Sequence, residues 1–529
     1  MPVRRRPVRV LTVVALLPLA GLLAAAVARA TSLPVRTYDV AGLADLPPSS
    51  DGDAADASLS GDGAVIAFDA PKNANAAGSA TQVYVVDVFT GAQFIASATP
   101  GGAPANGSSS HPSISYSGKV VAFASTATDL GPKAVGGRSN IYARLANGRI
   151  ELVSQAPDGA DANAGSSQPE ISGDGKYVAY TSTATNLVPR DGSSRPQVFL
   201  TNLSTGKTVL ISKGRHGLPG NGWSGDPAID ANGGEVTFDS SSSNLVKTRF
   251  APPQVFLRYV GRTKTELVSV TPRGAPQNKA VSAPFQQRSS ISADGSRIVF
   301  DSNANNLVLG DDNARTDIFL RDLSDDSTTL VSENNAGYEG NDDSFWPTIS
   351  PDGTKVAYES FATNLAPGGG PLQNVFITDL DTGSTSVVDV GPTGQRLSRE
   401  RVRELLERPV LSYDGYSAVF ETTAANLSGD ERPQTRLFLR LLDPPAAEFT
   451  RSPPRSVSGS RVVVYVGADD PAARVFSCRV DSQTPFTCQP GKISFSHLSP
   501  GRHLLSIRAG GPGMLYQLDP LTTYVQVDQ

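Results

Sequence analysis

Between Leu59 and Phe420 the hydrophobic pattern of the chain repeats. Each copy has one apolar residue, a short polar turn that usually contains Gly, then a β-rich run ending on an aromatic. The copies read LSGDGAVIAF from Leu59, ISYSGKVVAF from Ile114, ISGDGKYVAY from Ile171, IDANGGEVTF from Ile229, ISADGSRIVF from Ile291, ISPDGTKVAY from Ile349 and LSYDGYSAVF from Leu411. Successive copies start 55, 57, 58, 62, 58 and 62 residues apart. A second signature follows in six copies, such as ATNL at Ala184 and Ala362, and then an alternating apolar run such as VFLTNL from Val198 or IFLRDL from Ile318. A short stretch such as ELVS at Glu151 closes the unit. Period-two alternation with β-branched and aromatic residues predicts half-buried strands. Four strands in a unit of this length suit a propeller blade with generous loops.

The chain ends sharpen that expectation. The seventh copy supplies three strands before the chain turns to DPPAAEFTRSPP after Leu442, whereas VRTYDV, Val35 to Val40, stands ahead of the first copy as an unassigned strand. Pairing it into the last blade would remove two exposed sheet edges. The expected fold is therefore all-β: a seven-bladed β-propeller over 34–442, closed by the N-terminal strand, then a Pro-rich linker at 443–455 and a small β-sandwich at 456–529.

The pattern P-x-I-S-x-D-G-x-x-V-A-F, then A-T-N-L, then V-F-L-x-D-L-x-T-G-x-T resembles the WD40-like propeller repeat of the TolB-like family across Pro34 to Leu442. The copy at Ile229 departs, with DANG in place of the usual turn, and the first copy lacks the N-L signature. The resemblance implies a propeller that binds proteins or ligands, often outside the cytoplasm, and does not itself imply catalysis. In the tail, F-S-C-R-V-D from Phe476, P-F-T-C from Pro485 and L-x-P-G-x-H from Leu498 are similar to bacterial Ig-like modules of secreted proteins.

Charge and cysteines extend the picture. The start is basic, Leu11 to Val27 carries no charge, and Ala28-Arg29-Ala30 offers a small-x-small cleavage site, the pattern of a signal peptide over 1–30. A retained anchor is the rival reading. The formal charge is −5, and the segment's five arginines and lack of acids leave a body at −10 with little to offer a phosphate backbone. Nucleic acid is not an expected partner, and no membrane span is expected after cleavage. Cys478 and Cys488, ten positions apart, are expected to form a disulfide across neighbouring strands of an exported protein.

Candidate chemistry is sparse. There are four histidines and no G-x-S-x-G elbow, H-E-x-x-H or clustered Cys/His set, so no catalytic residue, metal site or cofactor is assigned. Repetition does align carboxylates: Asp69, Asp239, Asp301, Glu359 and Glu421 follow the aromatic that ends each second strand, with Ala124 and Thr181 in the remaining copies. Equivalent positions in a propeller face the same way, so these acids are expected as an arc near the face carrying the loops to the next blade. Trp223, Phe285 and Trp346 lie ahead of first strands beside them, as flat rings do where sugars or cations are gripped. The acids are read as turn caps, as a binding arc, or as a glycosidase acid and base; the rings equally suit packing between blades. Loop entries repeat G-x-x-x-N, as at Gly159 to Asn163, with the Asn expected to bond its own turn. Gly310 to Asp317 has calcium-loop acid density without an EF-hand's Gly and Glu, and is expected as a solvated turn. Ser398 to Arg408 suggests a short helix covering the opening or meeting a partner, or else a solvated filler. The expected function is non-catalytic binding of a protein or cell-envelope glycan, with a carbohydrate-active enzyme and a surface-display scaffold as alternatives. The sequence sets no oligomeric state.

Overall fold

The computed structural model describes residues 37–528 except 41–53, 72–79, 89–90, 132–136, 190–191, 251–252, 263, 280–287, 368–372, 390–408, 423–435, 443–446, 469–474, 482, 484–485 and 511–520. The signal segment, Phe285 and the helix expected at Ser398 to Arg408 lie outside the described residues. The strands form seven four-stranded antiparallel sheets, then a three-stranded and a five-stranded sheet. Blade one consists of Ala55–Leu59, Val65–Pro71, Thr81–Asp87 and Gln93–Ile95 in sequence order, and the next five repeat that order. Blade seven takes three strands from Val410–Leu411, Ser417–Thr422 and Arg436–Leu441, and its fourth from Thr37–Asp39, with Tyr38 opposite Leu439. First strands of neighbouring blades touch round a closed circle, from blade one through blade seven and back, which places them innermost.

Each blade is built from the same local bonds. In the first turn Ser60 Oγ donates to Asp62 Oδ1 at 2.6 Å while accepting from Val65 N at 2.9 Å, and Gly63 takes a left-handed φ of 68°. The departure at Ile229 keeps this wiring: Asp230 replaces the serine as acceptor of Glu235 N, and Asn232 replaces the aspartate as acceptor of Gly234 N. Behind each turn the repeat aromatic stacks on an aromatic of the third strand, from Phe68–Tyr84 to Phe420–Phe438, with centroids 5.7 to 6.1 Å apart. Such a pair adds about 0.5–1.5 kcal/mol beyond the area it buries.

Backbone bonds between turns join neighbouring blades, and a second device clamps the loops that lead into them. The first turns bond to one another through backbone amides: Gly61 to Tyr116, Tyr116 to Gly173, Asp174 to Ala231, Ala231 to Ala293, Ala293 to Pro351, Asp352 to Tyr413 and Tyr413 to Gly61, at 2.7 to 3.1 Å. The chain of bonds returns to where it began, so the ring closes on its inner side as well as through the strand Thr37–Asp39. The second device uses the repeated loop Asn. Asn163 N donates to Asn186 Oδ1, its Nδ2 to Thr185 Oγ1, and its Oδ1 accepts Thr185 N. Asn221 and Asn341 repeat this with Ser243–Asn244 and Thr363–Asn364. The Asn thus ties two loops together instead of bonding its own turn, and the left-handed residue there is Gly, as at Gly159.

The two remaining sheets share one core, in which Val464 and Ile493 of the three-stranded sheet meet Phe476, Ile507 and Val525 of the five-stranded one. Cys478 and Cys488 are joined across the neighbouring strands Val475–Val480 and Phe486–Cys488. The segment expected as a linker contributes a strand, Ala447–Phe449, paired with Val462–Ala468.

Candidate functional site

The innermost strands carry a repeated irregularity. Their register slips between Ala55 and Ser58, Ser110 and Ser113, Ser167 and Glu170, Gly225 and Ala228, and Phe345 and Thr348. Inside each slip one non-glycine residue is left-handed: Asp56 (φ 51°), His111 (51°), Gln168 (53°), Asp226 (49°) and Trp346 (52°). Each stands three residues before the apolar residue that opens its copy, a place Arg288 and Arg408 hold in blades five and seven. Left-handed backbone costs a residue with a Cβ about 1–3 kcal/mol and persists where the surroundings over-determine it. Pro follows at 112, 169, 227 and 347, and its missing amide loses nothing where the ladder is already broken.

The bulges turn these side chains to one another between blades. His111 Nδ1 lies 3.4 Å from Asp56 Oδ2, Gln168 Nε2 donates to Asp226 Oδ1, and the Arg288 guanidinium sits 6.0 Å from the Trp346 ring centre. Asp56, His111, Gln168, Glu170, Asp226 and Arg288 line a cavity of about 80 Å³ shared by blades one to five. Next along the axis is a second cavity of about 120 Å³, lined by the apolar residue that opens every copy, from Leu59 to Leu411. At the turn end Tyr116 and Tyr413 meet edge to face, 5.5 Å between centroids. The axis therefore offers a polar mouth carrying both signs of charge above a throat where those apolar side chains alternate with hydroxyls such as Ser58, Ser113, Ser290 and Thr348.

The carboxylate arc lies elsewhere than expected. Asp239, Asp301 and Glu359 are fully buried, and Asp69 and Glu421 are 6% and 4% exposed. The reason is register: Asp69, Asp239 and Glu359 stand opposite Ala55, Gly225 and Phe345, each one residue before its bulge, so the acids sit behind the innermost strands. There they receive amides that the bulges free from the ladder. Glu421 Oε1 accepts Asp56 N at 2.9 Å across blades seven and one, while Asp301 accepts Arg288 N at 2.8 Å and Trp346 N at 3.3 Å. Gln373 Nε2 donates to Glu359. Burial raises the Asp301 carboxyl to about 7, and it raises Asp239 well above the carboxylate range, with Asp226 and Asp301 adding to the rise. Neither oxygen of Asp239 has a hydrogen-bond partner among the described residues.

The aromatics do not form one set. Trp223 is half-buried ahead of its strand, its ring so close over Gly225 that a Cβ there would meet Cζ2 at 2.9 Å. Trp346 lies within the strand Ser344–Ile349, in the bulge itself, and is 8% exposed. The mouth residues Asp56, His111, Gln168, Asp226 and Arg288 escaped the sequence reading, although the recurrent x-Pro three places before the apolar residue marks four of the bulges.

No family model matches the sequence, and no curated protein matches it. Among solved structures the chain is similar to a putative TolB from Agrobacterium tumefaciens, at 14% identity and TM-score 0.32 over 52% of this chain and 78% of that one. It is similar to an oligogalacturonate lyase from Vibrio parahaemolyticus at 11% and 0.44, covering 74% and 92%. A Mycobacterium tuberculosis puromycin-hydrolyzing peptidase gives 12% and 0.39, covering 80% and 64%. Likenesses at this level say nothing about activity. No helix among the described residues is long and apolar enough to cross a membrane.

Proposed function

We propose that this chain is an exported, envelope-associated or secreted propeller that binds a protein partner at its axial mouth without covalent chemistry. The reading rests above all on the five non-glycine residues held left-handed at equivalent places round the axis, since backbone strain repeated at one rim is hard to account for by packing alone. The mouth pairs acidic Asp56, Glu170 and Asp226 with basic Arg288 and the amide of Gln168. That mixture suits a side-chain tip or chain end offering both donors and acceptors. A cavity of about 80 Å³ takes such a tip. Export is supported by the basic, apolar, small-residue start and fits the Cys478–Cys488 bridge.

A glycosidase would need two carboxyls facing a substrate, one to protonate and one to attack or activate water. The acids aligned by the repeat instead stand behind the innermost strands, where backbone amides engage Asp301 and Glu421. Replacing Gln168 and Asp226 together by Ala removes one cross-blade pair. Envelope proteins retained by the immobilised wild type are expected to be lost from this variant, with the thermal midpoint within a few degrees of wild type. Retention that the variant does not change, or glycan turnover abolished by Asp301→Asn, defeats the proposal.

A further inference from the structure

Blade five breaks its own repeat at one position. The residue before the first apolar position of the third strand is an amide in five other blades: Gln82, Asn140, Gln197, Gln254 and Asn374. In blades one and three it accepts a serine hydroxyl, from Ser97 or Ser212, and donates to loop carbonyls, those of Ala105 and Gly107 or Gly220 and Gly222. Blade five has Asp317 there. Its Oδ1 still accepts Ser332 Oγ at 2.7 Å, but a carboxylate has no proton to give the loop. Asn313 takes over, with Nδ2 donating to Gly340 O at 2.8 Å and to Asp317 Oδ2 at 3.3 Å.

Two further carboxyls converge on the same point. One oxygen from each of Asp311, Asp317 and Glu339 lies within 4.8 Å of the others. The loop expected as a solvated turn is therefore folded inward: Asp317 is fully buried and Asp311 is 7% exposed. Asp311 makes no hydrogen bond among the described residues although its carboxyl is aimed into the cluster. Arg315, the cation on that loop, turns away to Asp342 and Asp343 at 3.1 and 3.7 Å. Burial and the nearby Asp311 and Glu339 hold the Asp317 carboxyl up to about 7; burial and Asp312 push Asp311 upward against the pull of Lys279, and burial with Asp312 and Asp311 pushes Glu339 upward. Three carboxyls this close ionise together only around a cation.

We propose that Asp311, Asp317 and Glu339 hold a calcium ion between blades five and six. Oxygen donors alone favour a hard cation over zinc or copper. Bonds of about 2.3–2.6 Å allow two ligands of one ion to stand at most about 4.6–5.2 Å apart, a limit that these oxygens, all within 4.8 Å of one another, respect, and water would complete the shell. Magnesium demands a tighter octahedron.

The full exported chain, stripped with EDTA and dialysed, is titrated with calcium chloride in a calorimeter and scanned for its melting temperature with and without the ion. One saturable site with Kd of about 10⁻⁶–10⁻³ M is expected, with a melting temperature raised by several degrees at saturation. Asp311→Asn and Glu339→Gln are each expected to weaken binding at least tenfold. Glu339 is only half-buried on its loop, so Glu339→Gln decides the question should Asp311→Asn fail to fold. No saturable binding by the wild type at 10 mM calcium, unchanged affinity in Glu339→Gln, or equal affinity for magnesium overturns the assignment.

Discussion

Among single residues, Asp239 is the most exacting. It is fully buried with neither oxygen bonded among the described residues, and its pKa is raised well above the ordinary 3.8, first by burial. Such a carboxyl binds its proton more tightly in the folded chain than in the unfolded one. The stability this contributes is present below the unfolded value and is lost as pH rises through the folded value. Asp301, raised to about 7, adds to the same trend. The wild-type denaturation midpoint is therefore expected to fall between pH 5 and 8. Asp239→Asn keeps the shape without the charge, should flatten that fall, and should be more stable than wild type at pH 8 by about 1–2 kcal/mol. A wild-type midpoint independent of pH, or a variant weaker than wild type at pH 8, contradicts this account. The sequence showed that these acids align but not how deep they lie, because period two gives the side of a strand and not its distance from solvent.

At the scale of the element, the inner turns depend on absent side chains. A Cβ on Gly173 would stand 2.2 Å from the Tyr116 ring, with ordinary backbone φ, so the obstacle is steric alone. Gly173→Ala is expected to cost about 1–3 kcal/mol in chemical denaturation, as overpacking does. In a Tyr116→Ala background the same change should cost less than about half of that, a coupling a double-mutant cycle reads directly. Equal costs in both backgrounds would show that the ring is not what Gly173 accommodates. The strands and their stacked aromatics were legible because alternation is local. The bulges were not, since a slip in register leaves the alternation on either side intact. The loop clamps were also hidden: Asn163 gave no hint that its partners lie 22 and 23 residues on.

For the whole molecule, counting units and noticing a spare strand at Val35 to Val40 was enough to read the closure, because a missing fourth strand at one end and an extra one at the other have a single economical solution. The tail was read less fully. Its longer strands follow the apolar runs, but Ala447–Phe449, Ser456–Ser458 and Phe486–Cys488 have three residues each, too few for a period to show. Deleting residues 37–39 leaves Arg436–Leu441 as a bare edge. The shortened chain is expected to melt several degrees lower and to self-associate in sedimentation, as unpaired edges do; an unaltered monomer with an unaltered melt would mean that the inner ring of turns closes the propeller unaided. The direction of that pairing has a mechanical side. Thr37 faces Arg440 and Asp39 faces Phe438, so the two segments leave the sheet at the same end. Tension between an N-terminal attachment and the tail would then load the perpendicular bonds of this pair one after another, peeling the clasp open at low force instead of shearing it.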